Sequence, residues 1–224
     1  ISAIVDTDSG LLPGGNVTVR LQAQDGVSTS VISDNGTLAW VGHDGSYSGL
    51  VAVPTGKNTY NVFGSSSPTC AVSSIPAAYT KLADNVQGPV DFATLNGSLP
   101  TAVAPTDLAG VCVPADSTYR NGRIRYYRGI IRAVNDASGN KRTVNVVNIE
   151  SYVRGVVPRE SPAGWGDLAG GLGMNALRAQ AVAARSYAAS ESRYTWAKTC
   201  DTQDHMVEAF IQGFFGQQGS LSPR

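Results

Sequence analysis

One acidic residue, Glu160, has a local sequence that could support chemistry. It lies between Pro158 and Pro162 and follows an apolar segment. We expect Pro162 to keep Ser161 out of the helical region, so that Glu160 occupies a rigid turn with its carboxyl group partly removed from water. Such a group suits general acid catalysis, because cleavage of a glycosidic bond needs a donor that protonates the leaving oxygen. An exposed, unreactive charge is the other reading of these residues.

The other acids near Glu160 do not share its setting. They are Asp167, Glu150 and Glu191. Retaining and inverting glycoside hydrolases use two carboxyl groups. A single acid fits a lytic reaction instead, in which the 6-hydroxyl group of a muramic acid residue attacks its own C1 and one Glu acts first as acid and then as base.

Two helical patterns flank this acid. The first covers residues 149–156, with Asn148 as a plausible N-cap and Glu150 in the first turn, and we expect Gly155 and Pro158 to end it. A Gly-rich loop at residues 163–173 follows, and it contains Trp165. The second pattern, at about residues 174–191, predicts the one main helix of the chain. That helix carries both Gln180 and Arg185.

The first half of the chain has the pattern of a β-rich domain. Asp-Gly and Asn-Gly pairs separate short alternating runs, which is a strong signal for β-hairpins. The predicted strands are residues 16–22, 27–32, 37–41, 47–53 and 60–63. Residues 122–134, with a break at Gly129, and residues 142–148 predict further strands. We therefore expect an α+β protein, with a β-rich accessory domain at residues 1–119 and a mixed domain at residues 120–224.

Charge and cysteine usage limit the function. Residues 1–119 hold three basic residues and nine Asp, whereas residues 120–224 hold fourteen basic residues and eight acids. This split suggests two units with different partners. The sequence has no basic run, which weakens the nucleic-acid reading, and no apolar run of transmembrane length. Cys70 and Cys112 form a disulfide if the protein is secreted, and free thiols are the alternative.

Two segments resemble the SpoIID/LytB domain of bacterial cell-wall proteins. They are VNIESYVRGVVPRESPAGW and NALRAQAVAARSYA, and Cys200-Asp201-Thr202 resembles a later segment of that domain. The first segment matches the family motif at Glu150, Tyr152, Gly155, Pro158, Glu160 and Pro162. The second matches at Ala176, Leu177, Ala179, Gln180, Ala181, Ala184, Arg185 and Tyr187.

The resemblance implies roles for individual residues. Glu160 would be the acid/base of a lytic transglycosylase, and Arg185 would hold substrate or steady Glu160 as a carboxylate. Gln180 would bind an N-acetyl group or buttress the loop, and a hydrogen bond between the helix and the core is the alternative. Trp165 would stack on a sugar face or anchor the loop. Other members of the family modify an amidase, so a non-catalytic peptidoglycan-binding or amidase-regulating module is the alternative function.

The sequence departs from the family after Cys200. Cys200 and His205 are two incomplete candidates for zinc ligands, but a structural site needs four, so we expect no metal and no cofactor. The later family segment is not recognisable in residues 208–224, and we expect a domain that is incomplete or divergent there. The sequence therefore predicts a secreted, wall-associated protein. Its partners would be peptidoglycan glycan strands and, in the regulatory alternative, a cell-wall amidase.

Overall fold

The computed structural model describes residues 15–33, 37–94, 108–114 and 123–201. These residues form two β-sheets and two α-helices, so the predicted α+β class is confirmed. The strands are β1 (Asn16–Arg20), β2 (Thr29–Ile32), β3 (Leu38–Trp40), β4 (Gly49–Gly56), β5 (Thr59–Ser65), β6 (Thr80–Gln87), β7 (Val90–Thr94), β8 (Ala109–Val113), β9 (Arg123–Tyr127), β10 (Ile130–Asn135), β11 (Lys141–Asn148) and β12 (Thr199–Cys200). The helices are α1 (Ile149–Glu160) and α2 (Met174–Ser190).

Each sheet has six strands. The first sheet has the order β12-β1-β11-β10-β7-β3, and the second has the order β6-β5-β4-β2-β8-β9. The pairs are antiparallel, except that β12 lies parallel to β1. A core of apolar side chains lies between the sheets, with Phe92 and Ile131 from the first sheet and Leu50 and Val62 from the second. This arrangement agrees with the sandwich-type pattern in the first half of the sequence.

The two predicted domains share both sheets. Strand β1 pairs with β11, β7 pairs with β10, and β8 pairs with β9, so strands from both sides of residue 119 contribute to each sheet. Opposite charges of the two halves also meet there. The Arg132 guanidinium donates two hydrogen bonds of 2.8 Å to the Asp91 carboxylate. The first half of the chain has a net charge of −6 and the second half a net charge of +6. These charges therefore partly neutralise each other within one molecule.

Helix α1 is longer than the sequence pattern predicts. The Asn148 cap is confirmed, since its side chain accepts a hydrogen bond of 2.9 Å from the backbone N–H of Glu150. The predicted end at Gly155 and Pro158 is wrong, because the helix continues to Glu160. Pro158 lies inside the helix and has no N–H to donate, so one intrahelical hydrogen bond is lost. The last turn still closes, with the Ser161 N–H donating to the Val157 carbonyl oxygen at 2.9 Å.

The two helices pack on the first sheet. Val17 and Val19 of β1 and Val147 of β11 contact the apolar face of α1, and Ala184 and Ala188 of α2 complete this cluster. The small alanine side chains allow α2 to approach α1 closely. Among the described helices, none is long and apolar enough to cross a membrane.

A disulfide joins Cys70 to Cys112. It connects the segment after β5 to β8 in the second sheet. Of the two alternatives left open by the sequence, the structure contains the bridge. Cys200, in β12, is a buried free cysteine.

Candidate functional site

Glu160 is the last residue of α1 and is partly exposed. The expected turn between two prolines is therefore a helix C-terminus, after which Ser161 adopts an extended conformation. Among the described residues, no hydrogen bond or ion pair to the Glu160 carboxylate is present. The nearby phenol of Tyr152 is buried, and burial, followed by the neighbouring Tyr187 and Glu160, raises the pKa of Tyr152 to about 12.

Arg185 pairs with Glu150, at the opposite end of α1 from Glu160. Its Nε and Nη2 atoms donate hydrogen bonds of 2.9 and 2.7 Å to the two carboxylate oxygens of Glu150. These hydrogen bonds lower the pKa of Glu150. Glu150 and Glu160 are ten positions apart in sequence, which corresponds to about 15 Å along a helix axis. The ion pair between Arg185 and Glu150 thus joins α2 to the start of α1.

Gln180 lies in the protein interior. Its side chain is only 5% exposed, in the middle of α2. This position fits the buttressing alternative better than direct contact with a large ligand, and its role stays a prediction.

Trp165 lies at the surface, on a loop with fixed geometry. The residue is 44% exposed, and its backbone N–H donates to the Pro162 carbonyl oxygen at 3.0 Å. The loop closes tightly on the start of α2, because a Cβ atom at Gly173 would lie 1.7 Å from the Trp165 carbonyl oxygen. Leu168 and Leu172, on the same loop, are also exposed. The loop can therefore present an aromatic face to a ligand.

A cleft of about 380 Å³ lies between the edges of the two sheets and is covered by α1. Strand β9 and the turn after it form one wall, and β12 forms another. One face of α1 forms the third, through Tyr152, Val156 and Arg159. Arg159 directly precedes Glu160, so the cleft adjoins the end of the helix that carries the candidate acid.

Three arginines line this cleft: Arg125, Arg128 and Arg159. The sequence pattern left Arg123, Arg125 and Arg132 open as either a solvated sheet face or a binding stripe, and it did not identify this cleft. The arginine, isoleucine and tyrosine residues of RIRYYR were a sequence signal for a binding surface. This pattern does not reveal that β9 is an edge strand facing α1. Nothing in the sequence around Arg159 indicated that this residue lines a cleft.

Asp201 is the acidic residue of the cleft lining. It accepts a hydrogen bond of 2.9 Å from the backbone N–H of Gln22 and lies 3.4 Å from an Nη1 atom of Arg125. Burial is the main cause that raises the pKa of Asp201. Burial likewise raises the pKa of Tyr127, whose hydroxyl group lies 3.5 Å from Asp201, to about 12.

No group of three or more potential metal ligands occurs within the part of the chain that the structure describes. Cys200 is buried beneath the cleft. The other zinc candidate, His205, lies outside the described residues.

The fold and the site define a class: a mixed α+β protein with a glutamate at a helix end beside an arginine-lined cleft. Residues 137–218 match the SpoIID family model, described as Stage II sporulation protein. This match confirms the resemblance seen in the two motifs, and it suggests a sporulation-related function at the cell wall. The match covers less than half of the chain. No curated protein and no solved structure matches the chain.

Proposed function

We propose that this protein is a lytic transglycosylase that cleaves peptidoglycan glycan strands between N-acetylmuramic acid and N-acetylglucosamine. The observation that carries the proposal is the position of Glu160, at the end of a helix beside the cleft, within the segment that matches SpoIID. A partly exposed carboxyl group at a helix end is accessible to a polymer that is too long to be enclosed.

The proposed reaction needs one acid/base group. Glu160 donates its proton to the glycosidic oxygen as the bond from that oxygen to C1 of the muramic residue breaks. The 6-hydroxyl group of the same residue then forms a new bond to C1, and the Glu160 carboxylate takes the hydroxyl proton. The products are a 1,6-anhydro end and a free 4-hydroxyl group, and Glu160 regains its proton.

The neighbouring residues have supporting roles in this proposal. Trp165 stacks on a sugar face from the loop after α1, since aromatic rings suit the apolar C–H face of sugars. Gln180 supports that loop from the interior. Arg185 acts as a positioning residue, because its ion pair with Glu150 fixes α2 against the helix that carries Glu160.

The location proposed for this activity is extracytoplasmic, at the cell wall. The Cys70–Cys112 disulfide supports it, because disulfides persist mainly in oxidising compartments.

A non-catalytic peptidoglycan-binding or amidase-regulating module is the second candidate. One observation favours it: Arg185 is engaged with Glu150, so it does not act on Glu160 directly. In this alternative the cleft and the exposed Trp165 would bind glycan or an amidase without cleavage.

The test compares wild-type protein with Glu160→Gln on intact glycan strands and on strands stripped of stem peptides by an amidase. Mass spectrometry detects 1,6-anhydro ends. We expect these ends from wild type and a loss of at least about 100-fold in Glu160→Gln, as is typical when a general acid is removed. Asp167→Asn, which changes an exposed acid in the adjacent loop, is the matched control and should retain activity.

Two results would decide against catalysis by Glu160. Equal formation of anhydro ends by wild type and Glu160→Gln would mean that another group supplies the proton. No new ends from wild type, with glycan still retained in a pull-down, would support the binding or regulatory module.

A further inference from the structure

The cleft beside α1 has an excess of positive charge. Three guanidinium groups, on Arg125, Arg128 and Arg159, line it against the single carboxylate of Asp201, which leaves a net charge of +2 when Asp201 is ionised. Because Arg125 already lies beside Asp201, Arg128 and Arg159 account for this excess. A guanidinium group binds a carboxylate through paired hydrogen bonds.

Arg128 has an unused donor. Its Nε atom is buried without a hydrogen-bond partner among the described residues. Buried donors in folded proteins nearly always have an acceptor. The backbone of Arg128 is held by the Asn145 side chain, which donates to the Arg128 carbonyl oxygen at 2.8 Å. The structure therefore places a buried guanidinium donor without an acceptor among the described residues at the cleft.

The rest of the cleft wall is aromatic and apolar. Tyr126 and Ile124 of β9 are unusually exposed for residues of their size, and both line the cleft together with Tyr152 and Val156 of α1. A volume of about 380 Å³ falls in the range of small-ligand sites. Aromatic and aliphatic walls suit the C–H face of a sugar ring.

From these features we infer that the cleft is a binding site for a carboxylate-bearing sugar unit, with Arg128 and Arg159 holding the carboxylate and Tyr126 contacting the ring. The choice of a sugar rests on the proposed function, whereas the choice of a carboxylate rests on the arginines. Within a glycan strand whose stem peptides have been removed, the lactyl carboxylate is free, and this site would select the acidic sugar of each repeat. It would thereby set the register of the strand relative to Glu160, which adjoins Arg159.

The test titrates the isotopically labelled chain with N-acetylmuramic acid and, separately, with N-acetylglucosamine, using NMR. The two sugars differ by the lactyl ether that carries the carboxylate. We expect the acidic sugar to bind at least tenfold more tightly and to shift amide signals of β9 and α1. Arg159→Gln should weaken binding of the acidic sugar about tenfold, since it removes a charged hydrogen-bonding partner, and should leave binding of the neutral sugar unchanged.

Two further variants control for indirect effects. Arg154→Gln changes another exposed arginine of α1 that does not line the cleft, and it should alter affinity less than twofold. Arg128→Gln should weaken binding of the acidic sugar as Arg159→Gln does. Because Arg159 is exposed, its replacement keeps the test valid if Arg128→Gln fails to fold.

The inference would be overturned by equal affinity for the two sugars, by an unchanged affinity in Arg159→Gln, or by signal shifts away from β9 and α1. Inorganic phosphate that displaces the acidic sugar at equal concentration would also overturn it, because the cleft would then be a general anion site. Glu160→Gln should still bind, so selective binding without lytic activity would refute only the proposed function. Lytic activity without selective binding would refute only this inference.

Discussion

Glu150 and Glu160 belong to one helix but have different surroundings. The Glu150 carboxylate is held by two hydrogen bonds from Arg185, whereas Glu160 lies at the helix end beside the cleft and has no such partner among the described residues. At the residue scale, the structure thus separates a carboxylate that joins two helices from one that is partly exposed at a helix end.

Removal of the Arg185 side-chain charge tests this separation. The Arg185–Glu150 pair is 40% and 42% exposed, so solvent screens it, and we expect Arg185→Gln to lower the free energy of unfolding by only about 0.5 kcal/mol. Because the pKa of Glu150 is lowered in the folded protein, this contribution is complete above the ordinary pKa of Glu. It is lost as the pH falls through the lowered value.

Urea denaturation of wild type and Arg185→Gln at about pH 7 and at about pH 2 measures the effect. The difference should be present at the higher pH and should be smaller at the lower pH. Lysine at this position should keep most of the stability. A loss of lytic activity in Arg185→Lys, with stability retained, would instead mean that Arg185 contacts the substrate.

At the scale of elements, the turn at Gly129 determines where the cleft forms. Strands β9 and β10 are separated by two residues, yet they belong to different sheets. Gly129 adopts a φ of +83°, and a Cβ atom there would lie 2.3 Å from the Val146 carbonyl oxygen. Only glycine fits this close approach to β11, and the turn directs β9 towards the edge that faces α1.

Gly129→Ala should therefore lower the free energy of unfolding by about 2–3 kcal/mol, the sum of a strained φ and a clash with backbone. Gly139→Ala is the matched control. It has the same φ of +83° but no atom within 4 Å of its Cβ position, so it should lose only about 1 kcal/mol. Thermal unfolding compares them, and equal losses in the two variants would rule out the clash.

Local patterns predicted most of the elements. The helix expected at residues 174–191 is found at Met174–Ser190, because its apolar stripe repeats with helical periodicity. The strand break at Gly129 is also confirmed. The predicted end of α1 was wrong, because the expectation that proline ends a helix applies best to helix interiors. Pro158 lies in the last turn, where the Ser161 N–H closes the helix.

At the scale of the whole molecule, the Cys70–Cys112 bridge constrains the second sheet. The two residues are 42 positions apart, and closing a loop of that length reduces the entropy of the unfolded chain by the equivalent of about 4 kcal/mol. We expect Cys70→Ser combined with Cys112→Ser to lower the free energy of unfolding by up to that amount.

Thermal unfolding with and without reductant measures the contribution of the bridge. Reductant should lower the Tm of wild type towards that of the double variant, and should leave the double variant unchanged. Equal Tm values for wild type under both conditions would mean that the bridge does not contribute to stability.

The cleft and the sharing of sheets could not be derived from local patterns. An alternating run such as NVTVR predicts a strand but does not specify its partner. Likewise, the positions of Arg128 and Arg159 in one cleft depend on how β9 and α1 pack. The candidate acid was identified from its motif, but its relation to Arg185 became visible only through the packing of α1 on α2.

The position of β1 has a consequence for the synthesis of the chain. Strand β1 lies between β11 and β12 in the first sheet, with Asn16 opposite Asn148. A ribosome releases β1 long before either neighbour exists, so this strand must stay unpaired while the segment between β1 and β11 is translated. Folding is then dominated by contacts between distant segments, which makes it slow. A slow-folding chain remains extended for longer, and an extended chain is the form that narrow protein-conducting pores accept.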